Sequence, residues 1–124
     1  MNKLLIEIGN VKIPIKTRKN KTARKIIESI PLSGDAHKWG KEFYFYIPLN
    51  IQPEIDAKDV IKKGEIAYWP KGNAIAIAYG PTPISKNNEI RLADKCSIWA
   101  DTTFNLDKLD DIEIIDKTIR VFYA

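Results

Sequence analysis

Apolar and polar residues alternate with a period of two over several stretches of the chain, the pattern of strands that face a core on one side only. Leu4-Leu5-Ile6-Glu7-Ile8 and Val11-Lys12-Ile13-Pro14-Ile15 flank Gly9-Asn10, which predicts an opening β-hairpin. Pro14 has no N–H for a ladder, so its strand lies at an edge or turns the missing donor outward. The period then lengthens. Ala23, Ile26, Ile27 and Ile30 form one stripe of a helix that Asn20 or Thr22 can cap, with Lys21, Arg24, Lys25 and Glu28 on the wet side and Pro31 at its end.

Residues 33–40 read as a polar loop holding the single histidine, His37, beside Trp39-Gly40. Residues 42–47 follow as a strand with Tyr44 and Tyr46 on one face and Phe43 and Phe45 on the other, of which one pair should be buried. Residues 48–63 read as a long covering loop with at most one helical turn. The clearest hairpin is residues 64–69 and 74–79 about Pro70-Lys71-Gly72-Asn73; its second arm alternates Ile with Ala, which suits a crowded sheet. Gly80-Pro81-Thr82-Pro83 is a rigid exit. Residues 85–94 read as a polar loop, 96–100 as a strand and 106–110 as a turn. Residues 111–115 and 118–123 read as a last hairpin about Asp116-Lys117. Eight strands and one principal helix predict a mainly β chain, a closed eight-stranded barrel forming a single domain over residues 1–124, because closure removes exposed sheet edges.

Charge changes the picture only where it clusters. The net charge of +4 is the sum of +7 through Lys41, where ten Lys and Arg meet Glu7, Glu28 and Asp35, and −3 over the remainder, where ten meet thirteen acids. Lys12, Lys16, Arg18, Lys19, Lys21, Arg24 and Lys25 form an acid-free basic run. Five of the seven are Lys and no aromatic residue lies among them, which argues against base reading or base stacking and for a solvated face. Abundant Lys and Ile fit a thermophile or an AT-rich genome. No apolar run approaches the roughly 18 to 20 residues of a membrane span, and the start of the chain lacks a signal-peptide pattern, so a cytoplasmic location is expected.

Conventional catalytic sets are scarce. Cys96 is the only cysteine and has no metal-binding or disulfide partner, and His37 lies about sixty residues away. No Gly-x-Ser-x-Gly elbow, phosphate loop or close-spaced ligand set is present, so neither a metal nor a nucleotide cofactor is expected. Glu54 with Asp56 and Asp110 with Asp111 read as solvated turn acids. What stands out is aromatic and proline density in three places: His37 and Trp39 with Tyr44 and Tyr46; Tyr68-Trp69-Pro70; and Tyr79 with Thr82 in the Gly-Pro-Thr-Pro element. Such rings either fill the core or converge on a cleft for a peptide, an amide or a planar small molecule.

Residues 64–74, then Ala78-Tyr79-Gly80-Pro81-Thr82-Pro83, with Trp39-Gly40-Lys41-Glu42-Phe43-Tyr44-Phe45 and the helix before Leu32, resemble the small cyclophilin-like proteins of bacteria and archaea. The resemblance covers nearly the whole chain. It implies a closed eight-stranded barrel with few helices and no assigned biochemical function. Cyclophilins proper isomerise prolyl bonds with an Arg in a Phe-His-Arg type motif and a Phe-x-x-Gln-Gly-Gly-Asp segment, and this sequence has neither. The expectation is therefore a barrel that binds a small molecule or short peptide, with Trp39, Tyr44, Tyr46, Tyr68, Trp69 and Tyr79 as walls and Thr82 and His37 as polar contacts. The alternatives are a divergent prolyl isomerase or small hydrolase using His37, and nucleic-acid binding by residues 12–25.

Overall fold

The computed structural model describes residues 3–113 and 117–124. Its elements run β1 (Leu4–Ile8), β2 (Val11–Thr17), α1 (Lys21–Glu28), β3 (Leu32–Asp35), β4 (His37–Lys38), β5 (Glu42–Tyr46), β6 (Lys58–Ile61), β7 (Glu65–Trp69), β8 (Ala74–Ala78), β9 (Ile90–Asp101), a 3-10 helix (Leu106–Asp111) and β10 (Thr118–Tyr123). The strands join in the order β3-β10-β1-β2-β9-β7-β8-β5-β4, and β6 pairs with β9 off this path. Only Ala36 separates β3 from β4 at the two ends of that order. Ala36 donates its N–H to Lys117 O at 3.1 Å on the β10 side, while a Cβ on Gly34 would sit 3.2 Å from both the Phe45 ring and Tyr46 O. The missing side chain at Gly34 thus lets residues 32–38 run as one bent stave between β10 and β5. The order holds nine strands and β6 is a tenth, where eight were expected; with β3 and β4 joined through Ala36 they form a near-closed antiparallel barrel.

The opening hairpin forms as its alternation requires, with Ile6 opposite Ile13 and both fully buried. Pro14 lies opposite Leu5, and β2 meets β9 only at Lys16 and Thr17, beyond the proline. Asn20 caps α1 by accepting from Ala23 N at 2.8 Å. Thr22, Ala23 and Ile26 make its buried side, while Ile27 and Ile30 are half-buried. Glu54 accepts from Thr22 N at 2.9 Å and from Thr22 Oγ1 at 2.6 Å, and these bonds hold its carboxyl below the usual range. It is a partner of the helix start instead of a solvated turn acid.

The main core fills the barrel with Phe43, Phe45, Tyr68, Ile75, Ile77 and Trp99 among its fully buried members. A second cluster lies outside: Ala67, Ala76 and Ala78 on the opposite face of β7 and β8 pack under Ile61, Ile90, Leu92 and Cys96 from β6 and β9. That outer layer is the reason for the Ile/Ala alternation of β8. Glu65, buried at the rim, ties the layers together: Arg18 at 2.9 Å, Lys58 at 2.9 Å and Lys62 N at 2.7 Å all reach it, and Arg18 also grips Asp101 with two bonds of 2.8 Å.

Four segment assignments differ from the sequence pattern. Residues 33–40 are not a loop but contain β4 and, with Leu32, β3, which gain their ladders from β5 and β10, distant in sequence or without apolar alternation. The covering segment 48–63 ends in β6, and the polar stretch 85–94 already contains the start of β9. There Arg91 faces Asp59 at 3.0 Å and Glu89 at 2.6 Å, so charge marks an ion-paired strand surface. Residue Asp111 ends the 3-10 helix instead of starting a strand, and residues 114–116 of the expected last hairpin lie outside the described residues, while β10 forms with β1 and β3.

Candidate functional site

Antiparallel register decides which side chains meet, because directly opposed residues share a face. His37 lies opposite Tyr44, and Trp39 donates its N–H to Glu42 O at 2.9 Å. Glu42, Tyr44 and Tyr46 lie opposite Ala78, Ala76 and Ala74, and Trp69 lies on the other side of Ala74. An alanine stripe on β8 is therefore flanked by Glu42, Tyr44 and Tyr46 on one side and Trp69 on the other, all on the outer face of the barrel. Their partners of opposite parity, Phe43 and Phe45, are fully buried, whereas Tyr46 is 52% exposed.

The rings interlock. His37 stacks on Tyr44 at 5.1 Å between centroids and meets the edge of Tyr46 at 5.3 Å; the two tyrosines are T-shaped at 5.8 Å. Trp39, Tyr44, Trp69 and Ala93 line a groove of about 200 Å³ with a mostly apolar surface. Two close approaches set its walls. A Cβ on Gly72 would fall 2.1 Å from the Trp69 ring, so the indole rests on bare backbone. Gly40, at φ +60, carries the turn after Trp39 against Thr82 Cα and Pro83 Cδ, each 2.8 Å from where its Cβ would be.

The remaining three candidates do not join this face. Tyr68 points into the barrel, where its hydroxyl donates to Leu49 O at 2.9 Å and accepts from Ile51 N at 3.1 Å. Thr82 is buried; its hydroxyl donates to Arg91 O and its N–H donates to Ser85 Oγ at 2.9 Å. The Gly-Pro-Thr-Pro element thus braces the Trp39 turn without lining the groove. Tyr79 is buried, stacks on Phe43 at 6.2 Å and faces a separate cavity of about 440 Å³ with Lys41, Lys63 and Asp107. Parity explains the division, since Tyr68 and Tyr79 follow the inward-facing isoleucines of their strands.

Glu42 is a residue of the same outer face, next to the groove lining in β5, that sequence reading passed over. It is 6% exposed, its Oε1 has no hydrogen-bond partner among the described residues, and burial pushes its carboxyl up to about 7. Its signal was available: it has the parity of Tyr44 and Tyr46 in the same strand. Burial, with smaller contributions from Tyr46 and Glu42, also raises the Tyr44 phenol.

Other chemistry is poorly placed. Cys96 is buried and its thiol is pushed up to about 12, by burial first and then by Glu42, Asp94 and Asp59, so it is not a ready nucleophile. Arg18, Arg91 and Arg120 are held by Asp101 and Glu65, by Asp59 and Glu89, and by Glu7; Arg24 is exposed on α1. None lines the groove. Among the described residues no group of three or more His, Cys, Asp and Glu is arranged to hold a metal ion, and no helix is long and apolar enough to cross a membrane.

No curated protein matched the sequence. Among solved structures, a hypothetical protein of Archaeoglobus fulgidus, determined in solution, is similar over 99% of this chain and 95% of its own, with a TM-score of 0.77 and 27% identity. The model of the cyclophilin-like family matches residues 2–112, and with the barrel and its Gly-Pro-Thr-Pro brace in view, the chain belongs to the cyclophilin-like family.

Proposed function

We propose that this chain is a binding protein whose outer aromatic groove takes a small molecule or one side chain of a short peptide. The observation that carries the reading is the convergence of Trp39, Tyr44 and Trp69 on one groove, with His37 and Tyr46 extending it. A volume of about 200 Å³ is below the roughly 300 to 1,000 Å³ of pockets for drug-sized ligands, so one ring or one head group is the unit recognised. Prolyl isomerisation by the cyclophilin route has no support in this groove, because no arginine lines it to polarise the amide. A reducing, cytoplasmic setting is part of the same proposal, which the single free Cys96 fits.

Tryptophan fluorescence tests it, since two of the three tryptophans wall the groove and Trp99 is buried in the core. Indole, read by calorimetry because it fluoresces as tryptophan does, and N-acetyl-Phe-Pro-methylamide serve as planar and peptide probes. The expected result is a saturable change with at least one of them, abolished by Tyr44→Ala and kept in Thr82→Ser. Absence of saturation by both in the wild-type chain overturns the reading. A protease-coupled proline-peptide assay runs beside it: acceleration lost on Tyr44→Ala or His37→Ala would make the protein an enzyme.

A further inference from the structure

The aromatic walls and a buried acid without a partner share the outer face of the barrel. Trp39, Tyr44 and Trp69 line the groove, and among the described residues Ala93 is the only other that does. Ring faces carry negative charge density and attract a desolvated cation. Glu42 lies on the same outer face, opposite Trp39 and two residues from Tyr44 along β5. Burying a carboxylate without a partner is costly, yet Glu42 Oε1 has none among the described residues.

Three charged neighbours already have partners. Asp94 is held by Lys71 at 2.9 Å, Asp59 by Arg91 at 3.0 Å, and Lys41 reaches Asp110 at 3.3 Å. The field of Glu42, Asp94 and Asp59 reaches Cys96 in the outer layer, so the acids reinforce one another there while Glu42 lacks a counter-charge. We propose that the groove is a cage for an N-methylated ammonium head group, with Trp39, Tyr44 and Trp69 as its walls and Glu42 as its counter-charge. The proposal rests on the groove being a binding site and names what it binds. Methylation is the distinguishing feature: a primary ammonium needs up to three hydrogen-bond acceptors, whereas a quaternary one needs none and meets ring faces with its methyl groups. The same head group occurs on free choline-like molecules and on trimethylated lysine in a peptide.

The test compares choline, N-acetyl-trimethyllysine methylamide and 3,3-dimethylbutan-1-ol, a neutral molecule of choline's shape, by tryptophan fluorescence and calorimetry at pH 8, with indole as the uncharged aromatic probe. At least one of the two cations is expected to saturate, and the neutral alcohol to bind at least tenfold more weakly. The cation that binds more tightly identifies the source as a free molecule or a peptide. Glu42→Gln should weaken cation binding at least tenfold and leave the alcohol unchanged. Equal affinity for cation and alcohol, or no saturation by either cation, overturns the proposal in the wild-type chain, so the outcome does not depend on any variant folding. If indole still saturates, the groove stands and only its charge preference falls; if indole, the peptide probe and both cations all fail, the groove reading falls with it.

Discussion

Strands β5, β7 and β8 present two faces that differ in kind. Toward the barrel they put Phe43, Phe45, Ile66, Tyr68, Ile75 and Ile77, all fully buried. Outward they put Ala67, Ala76 and Ala78 beside Glu42, Tyr44, Tyr46 and Trp69. The inward side chains are large and fill space, as a close-packed interior demands. The outward ones are very small, or aromatic with polar atoms, or in one case acidic, and Glu42 Oε1 and Trp69 Nε1 are buried without a partner among the described residues. One face fills the barrel with large apolar side chains, whereas the other carries small residues and rings and keeps a groove. Unpartnered polar atoms do not separate the faces, because Tyr79 Oη and Trp99 Nε1 of the main core also lack partners among the described residues; the open groove does.

The largest expected effect separates the faces directly. Phe45→Ala should cost about 3–5 kcal/mol in denaturant unfolding, from lost burial and the cavity left behind. Tyr44→Ala, on the neighbouring position but the other face, should cost about 1 kcal/mol or less while abolishing groove binding. A Tyr44→Ala cost as large as that of Phe45→Ala would make both faces parts of one core.

A second effect belongs to Glu42 and has a definite sign. Its folded carboxyl titrates at about 7 against an ordinary value of 4.5, so between these pH values the folded state holds more protons than the unfolded one. Stability contributed by the neutral form is complete below about pH 4.5 and is lost as pH rises toward 7. At 1.36 kcal/mol per pH unit this amounts to about 3 kcal/mol. The neighbours that feel the same charge are Tyr44 on its own strand and Cys96 in the outer layer, the latter also facing the fields of Asp94 and Asp59. Urea melts from pH 4 to 8 should show the decline in the wild-type chain and a flatter profile in Glu42→Gln. An unchanged slope in the variant would return Glu42 to an ordinary solvated acid.

Parity made much of this legible in the sequence and also marks where reading stopped. Residues 42–46 carry their division in plain alternation, and the Ile/Ala rhythm of residues 74–78 already announced a crowded outer side. The same rule applied to residues 65–69 would have sent Tyr68 inward with Ile66 and left Trp69 outward. Glu42 was hidden by habit, since an acid opening a strand reads as solvated until a second layer is known to cover it. That layer was itself illegible: β6 and the start of β9 are polar because Arg91, Asp59 and Glu89 pair on their surface. Leu32-Ser33-Gly34-Asp35 has the composition of a turn, and only the approach of Phe45 and the pairing with β10 make it a stave.

The third effect is smaller and tests the inner face by chemistry instead of volume. Tyr68→Phe keeps the ring but leaves Leu49 O and Ile51 N without the hydroxyl that serves both. A cost of about 1–2 kcal/mol follows, with groove affinity unchanged. Loss of groove binding in Tyr68→Phe would show that the two faces are coupled through β7.

The smallest effect concerns a third surface that the two-face comparison leaves out. Arg18 is withdrawn from the basic run by Asp101 and Glu65, while Lys12, Lys16, Lys19, Lys21, Arg24 and Lys25 are exposed. Reversing Lys19, Lys21 and Lys25 to Glu should change stability by no more than about 0.5 kcal/mol, because exposed charges away from close partners contribute little. Groove affinity should stay within about twofold, since screening over a Debye length of about 8 Å at physiological ionic strength weakens their action on exposed distant sites. The same variant decides whether the run does more than keep the chain dissolved. Retention of the wild-type chain on single-stranded DNA at low salt, falling steeply with salt and lost in the triple variant, would make the helix side a second functional face. The absence of aromatic residues within residues 12–25 predicts the opposite, that the wild-type and variant chains elute together at about 0.15 M salt.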